Sequence, residues 1–238
     1  MTDLYSNYLE RTPSPLGERL VIKWHERMAN HARLLLDFDW RRIRLVEVGP
    51  GHGYFADLVT SRGCEYRFID NSSPVINLMI SKGHKAAEDE PKSFDVVWLS
   101  HVLEHSTDWM AARNLLSQSA ELARSGGTVV VIGPDYLSWG ARFFDTDATH
   151  GFPTTLRTVA QLMRDVGLEV THATYHRGGH LKFYYRMVYA CLARIPLAVG
   201  KLVFARGKLK SDDHPVFSFK AVLGWRQIFV VGSVRGKQ

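Results

Sequence analysis

The sequence predicts an α/β fold: a doubly wound, mostly parallel, seven-stranded sheet within a single domain spanning 1–238. Two observations predict it. Short apolar runs rich in Val, Ile and Phe alternate with segments of helical periodicity between residues 44 and 176. A turn with three glycines, Gly49-Pro50-Gly51-His52-Gly53, directly follows the first apolar run, where a buried strand must swing sharply into a helix. The chain has 238 residues, 45% hydrophobic and 23% charged. That is room and composition for one large core, and it excludes disordered and fibrous classes.

The elements follow in order. Residues 16–36 place Leu20, Trp24, Met28, Leu34 and Leu35 at helical spacing behind Pro13 and Pro15, which predicts an N-terminal helical cap (1–40). RLVEVG (44–49) is a buried strand and YFADLVTSRG a helix stopped by Gly63. YRFID (66–70) is the second strand. SPVINLMISKG is a helix capped by Ser73 with Pro74 in its first turn, and HKAA is a weak third strand. FDVVWLS (94–100) is a strong strand, TDWMAARNLLSQSAELARSGG a helix closed by glycines, and TVVVIG (128–133) a strand. TTLRTVAQLMRDVG is a helix starting at Thr154 or Thr155, LEVTHATYH a strand, and 226–234 the last strand. Residues 41–176 thus form the core. Residues 177–225 break the alternation and read as a helical insertion before the last strand.

Charge and cysteine content narrow the function. Residues 177–238 carry 12 Lys/Arg against Asp212 and Asp213, whereas 1–176 carry 18 Lys/Arg and 22 Asp/Glu. A basic C-terminal quarter suits an anionic partner, or is a solvated face. Cys64 and Cys191 are the only cysteines, too few for a disulfide framework, and no C-x-x-C zinc pair exists. The N-terminal stretch MTDLYSNYLERTPSP has no apolar segment of signal-peptide kind, so a cytoplasmic location is expected.

The glycine turn has chemistry of its own. Tyr54 stands where a dinucleotide fingerprint has its third glycine, which disfavours nicotinamide and flavin dinucleotides. Glu47 precedes the first glycine by two residues, and Asp70 closes the next strand, where an acid can hold both hydroxyls of a ribose. Glu47, Gly49, Gly51, Gly53 and Asp70, with FDVVWLSHVLEH and the Gly126-Gly127 pair before the next strand, resemble the class I S-adenosylmethionine-dependent methyltransferases. The resemblance covers about 40–176 and the final strand. It implies a Rossmann-like methyltransferase sheet and S-adenosyl-L-methionine as methyl donor, with S-adenosyl-L-homocysteine as product. It also implies a donor site made of Glu47, Gly49, Gly51, Gly53, Asp70, Asn71 and Ser100. The family's Asp near the adenine is absent here, and Glu88 or Asp89 is left to replace it.

His101, Glu104 and His105 form H-x-x-E-H after the fourth strand, and His150 follows the fifth. On a helical turn the first three share a face. Three readings stand. His105 or His150 is a general base toward an acceptor hydroxyl. Alternatively His101, Glu104, His105 and His150 hold a divalent metal, a pattern similar to the E-x-x-E-H of small-RNA 2′-O-methyltransferases and ubiquinone-pathway O-methyltransferases, with His101 replacing their first Glu. In the third, Glu104 and His105 are structural.

Residues 181–208 interleave Lys182, Arg186, Arg194, Lys201 and Lys208 with aliphatic and aromatic groups, interrupted by Pro196. The segment is no ~20-residue membrane span. It reads as a lid over the substrate, a homodimer contact, or an interfacial helix on an anionic inner-membrane face. The expected acceptor is a small molecule or a lipid-linked metabolite, methylated at oxygen. A nucleic-acid acceptor is disfavoured by the long aliphatic runs and the lack of a base-flipping motif. The rival from another class is a donor-binding scaffold without turnover.

Overall fold

The structure, a computed structural model, describes residues 9, 15–88, 90–176 and 226–236. Six strands form one sheet: β1 (Arg44–Val48), β2 (Glu65–Ile69), β3 (Phe94–Ser100), β4 (Ala123–Pro134), β5 (Leu168–His176) and β6 (Gln227–Val234), in the order β2-β1-β3-β4-β6-β5. Pairing is parallel from β2 through β4, and β6 enters antiparallel to both β4 and β5. Neighbouring residues on the central strands face opposite layers. Leu45, Val96, Trp98 and Val130 pack beneath one group of helices, and Val46, Val97, Leu99 and Val131 beneath the other. Both faces are covered, which is why these strands read as unbroken apolar runs.

The first layer holds α1 (Pro15–Leu36), α2 (Tyr54–Ser61) and α3 (Ser73–Ser81) through Trp24, Met28, Phe55, Val59, Val75 and Met79. Phe55 stacks on Trp98 with ring centroids 4.4 Å apart. The second layer holds α4 (Trp109–Leu122) and α7 (Leu156–Asp165) through Ala112, Leu116, Val159 and Met163. A capping box starts α7: the Thr158 N–H donates to Thr155 Oγ1, and the Thr155 N–H donates to Thr158 Oγ1, both at 3.1 Å. The Trp24 indole N–H donates to Gln227 Oε1 at 2.9 Å and ties α1 to β6.

Several expectations are corrected. The weak third strand is a single bridge, Phe68↔Ala86, with two backbone hydrogen bonds. Lys85 and Ala86 are exposed there, so little burial supports a longer pairing, and the sheet has six strands among the described residues rather than seven. Ser72, not Ser73, is the N-cap of α3. Gly126 and Gly127 do not close α4. That helix passes into β4 at Ala123, and the glycines sit where the β3–β4 register shifts. A Cβ at Gly127 would lie 2.9 Å from the carbonyl oxygens of Arg124 and Phe94, so the irregular start of β4 needs glycine there. Two short helices, α5 (Tyr136–Trp139) and α6 (Arg142–Thr146), were not expected; Trp139 and Phe143 form a small buried cluster of their own. The 177–225 insertion lies outside the described residues. Among the described residues, no helix is long and apolar enough to cross a membrane.

Candidate active site

The carboxyl ends of β1, β2, β3 and β4 build the site. Past Val48 the chain turns through Gly49, Gly51 and Gly53 at φ +71°, +54° and +77°, a left-handed region in which a side chain would be strained. The Gly49 N–H donates to the Ile69 carbonyl at 2.9 Å, and the Gly53 N–H to that of Pro50 at 2.9 Å. Lys82 donates to the His52 carbonyl and to Asp57, both at 2.8 Å, fastening the loop to the end of α3. A Cβ on Gly49 would come 2.7 Å from Val102 Cγ2. The glycine turn therefore abuts the segment that carries the histidines.

Glu47 is buried beneath this turn and accepts a hydrogen bond from the Tyr66 hydroxyl at 2.6 Å. Burial pushes its carboxyl up to about 8, with the charges of Asp57 and Asp70 acting the same way against the Tyr66 hydrogen bond. Asp70, just past β2, is partly buried, and Oδ1 accepts from the Ser72 N–H at 2.7 Å. Burial raises its carboxyl above the ordinary value, against the lowering effect of the Ser72 and Asn71 N–H groups. Asn71 is exposed beside it, Ser100 closes β3 half-buried, and Glu88 is exposed two residues beyond the Ala86 bridge. Asp89 lies outside the described residues.

The H-x-x-E-H segment is no α-helical turn. His101 has φ +57°, and Leu103–His105 forms a single 3-10 turn. His101 Nδ1 lies 3.1 Å from Glu104 Oε1, while Glu104 Oε2 is buried without a hydrogen-bond partner among the described residues. Burial would raise the Glu104 carboxyl, but the His101 hydrogen bond and the His101 and His105 charges outweigh it and hold it below the ordinary range. His105 turns elsewhere: its Nδ1 is 2.6 Å from Thr149 Oγ1, and its ring centroid is 4.9 Å from that of His150. Burial lowers the His105 pKa despite the nearby Glu104 carboxylate. One ligand atom from each of Glu104, His105 and His150 lies within 4.8 Å of the others. Three of the four expected ligands thus meet, and His101 stands outside that trio.

Sequence reasoning missed five contributors. Tyr66 fixes Glu47 from the next strand. From α1, Trp24 meets the His101 ring edge-on at 5.3 Å, and His25 packs against Tyr54 and Phe55. The N-terminal helix therefore lies against both the start of α2, just past the glycine turn, and His101. Burial and the charge of His101 push the His25 imidazole down to about 3. Asp147 and Thr149 hold His105; their only signal was their position beside His150 in DATHGFP.

The methyltransferase-domain family profile matches residues 19–173, well over half of the chain. This chain is a class I S-adenosylmethionine-dependent methyltransferase. The methyltransferase matches a SAM-dependent methyltransferase from Archaeoglobus fulgidus at 17% identity and TM-score 0.57, covering 88% of this chain and 94% of that one. It matches Haemonchus contortus phosphoethanolamine N-methyltransferase 2, bound to phosphomonomethylethanolamine and S-adenosylhomocysteine, at 14% identity and TM-score 0.62, covering 100% and 61%. Geranyl diphosphate C-methyltransferase from Streptomyces coelicolor A3(2) matches at 13% identity and TM-score 0.56, covering 92% and 83%. No curated protein matches the methyltransferase significantly. Its cofactor is S-adenosylmethionine, and the residues fit it: a left-handed glycine turn at the carboxyl end of β1, and a partly buried acid at the end of β2.

Proposed function

We propose that the methyltransferase methylates an oxygen of a small-molecule or lipid-linked acceptor, with His105 as the general base and His150 beside it. The observation carrying this reading is the pair of imidazoles, 4.9 Å apart, one of which, His105, lies on the segment that abuts the glycine turn through Val102. S-adenosylmethionine supplies an electrophilic methyl group on a sulfonium. Gly49, Gly51 and Gly53 let the backbone approach the donor, Glu47 braces that turn, and Asp70 holds the ribose, with Asn71, Ser100 and Glu88 at its margins. Positioning accounts for most of the rate in such a displacement. A base with a depressed pKa is neutral at pH 7 and able to take the hydroxyl proton. The basic, aromatic 181–208 segment supports a lipid-linked acceptor.

Calorimetry with S-adenosylhomocysteine tests the donor half. Micromolar affinity, about −8 kcal/mol, is expected, and Asp70→Ala should weaken it by about 1–3 kcal/mol through lost hydrogen bonds. Absence of binding to the native protein would end the reading. For the acceptor half, labelled S-adenosylmethionine is offered with phenols, sugars and polyprenyl-linked sugars. His105→Ala should lower kcat by ~10²–10⁴ on whichever acceptor turns over. Turnover of RNA alone would favour the nucleic-acid alternative. Donor binding with no acceptor of any class would favour a scaffold.

The 4.8 Å convergence of Glu104, His105 and His150 favours a second reading, a divalent metal at the acceptor site. Two imidazoles and a carboxylate with an unpartnered buried oxygen suit a first-row ion. Such an ion would acidify an acceptor hydroxyl. Turnover lost on chelation and restored by one added ion selects this reading over the base.

A further inference from the structure

We infer that Asp147 and Thr149 are positioning residues, a hydrogen-bonded relay that fixes the His105 tautomer and makes Nε2 its basic atom. The inference deepens the reading of His105 as base, yet it stands or falls without any acceptor. Asp147 Oδ1 accepts twice from Thr149, from its N–H at 2.9 Å and its O–H at 2.7 Å. A hydroxyl has one proton. With that proton given to Asp147, Thr149 Oγ1 meets His105 Nδ1 at 2.6 Å through a lone pair. The hydrogen between them must come from the imidazole. A neutral imidazole carries a single N–H, so Nε2 holds the lone pair.

His150 arrives at the same tautomer independently. Its Nδ1 lies 2.5 Å from the Phe143 carbonyl oxygen, which has no proton to give. Two imidazoles side by side thus have Nδ1–H tied to the scaffold. In the transfer step the acceptor O–H bond breaks and its proton forms the Nε2–H bond of His105. The electron pair left on oxygen makes the O–CH3 bond as the S–CH3 bond breaks, leaving an imidazolium and a neutral thioether. Through Thr149, the Asp147 carboxylate steadies that imidazolium without taking a proton, the part an orienting carboxylate plays behind a catalytic histidine.

The test is nitrogen NMR of full-length protein with isotope-labelled histidine, near neutral pH and treated with chelator. His105 is expected with Nδ1 protonated and Nε2 unprotonated, the reverse of the form imidazole prefers in water. Thr149→Val keeps the shape and removes the hydroxyl. It should shift the tautomer ratio toward Nε2–H by about fivefold or more, the weight of one hydrogen bond, and Thr149→Ser should restore it. If Thr149→Val does not fold, Asp147→Ala gives the same reading, because the freed Thr149 proton then turns to Nδ1. A wild-type His105 protonated at Nε2, or a tautomer unmoved in a folded variant, overturns the relay. Undiminished methylation by His105→Ala would instead overturn the base and leave the relay standing.

Discussion

Glu47 is an acid in a place water does not reach, and its proton is linked to stability. Its folded pKa of about 8 lies above the unfolded value of 4.5. Between those values the folded protein keeps a proton that the unfolded chain has released. The stability this group contributes is fully present below pH 4.5 and is lost as pH rises through about 8. Glu47→Gln replaces the neutral carboxyl by a neutral amide that can still accept from Tyr66, so it removes this dependence. The melting temperature of the native protein should fall relative to Glu47→Gln as pH is raised across that window. Parallel melting curves at every pH would show that Glu47 is already ionised in the folded state. Single residues were legible where chemistry and spacing coincide: Glu47, the three glycines and Asp70 lie within one β-α-β stretch. Their partners were not. Tyr66 reaches Glu47 from 19 residues away and Thr149 reaches His105 from 44, distances over which sequence spacing says nothing about contact.

At the scale of elements, the β1–α2 turn and the histidine turn behave as one unit because Gly49 and Val102 touch. Gly49→Ala forces a side chain to φ +71° and drives a Cβ to 2.7 Å from Val102 Cγ2. The left-handed backbone alone costs about 1–2 kcal/mol, and relieving the clash must shift the segment leading to Leu103–His105. A lower melting temperature and weaker S-adenosylhomocysteine binding are expected in thermal melts and calorimetry. Adding Val102→Ala should recover part of the loss, since it removes the clash and leaves the backbone strain. No recovery in the double variant would mean that strain alone acts. The same balance of local and distant forces decided which elements could be read. Phe94–Ser100 and Leu168–His176 match their sequence boundaries, one a continuous buried run and the other set off by Gly167. The HKAA strand failed because Lys85 and Ala86, both exposed at the edge, gain little from pairing. α5 and α6 were invisible because each is a turn or so long and is held by the Trp139–Phe143 cluster rather than by periodicity. The 3-10 turn at His105 escaped because positive φ at a non-glycine residue, His101, leaves no mark in the sequence.

For the whole molecule, acceptor class is tied to charge. Residues 177–225 hold nine Lys/Arg against Asp212 and Asp213, beside Phe183, Tyr184, Tyr185, Tyr189 and Phe204. Each basic group close to an anionic lipid surface adds about 1 kcal/mol, and the attraction decays over a Debye length of about 10 Å at 0.1 M salt. If this stretch meets lipid, the protein should float with vesicles rich in anionic lipid at low salt. Binding should fall steeply by several tenths molar, and neutral vesicles should bind weakly. Arg186→Glu with Lys201→Glu, which adds four negative charge units to the balance of the stretch, should abolish flotation while S-adenosylhomocysteine binding is unchanged, because neither residue is among those proposed to hold the donor. A lid or a homodimer contact predicts the opposite pattern: no flotation at any salt, and altered turnover or oligomer size in the double variant. Flotation would bring a lipid-linked acceptor to the front of the substrate search, since an enzyme held at the surface meets such acceptors at far higher local concentration than one in bulk solution. Its absence would leave water-soluble hydroxyl compounds as the acceptors to try first.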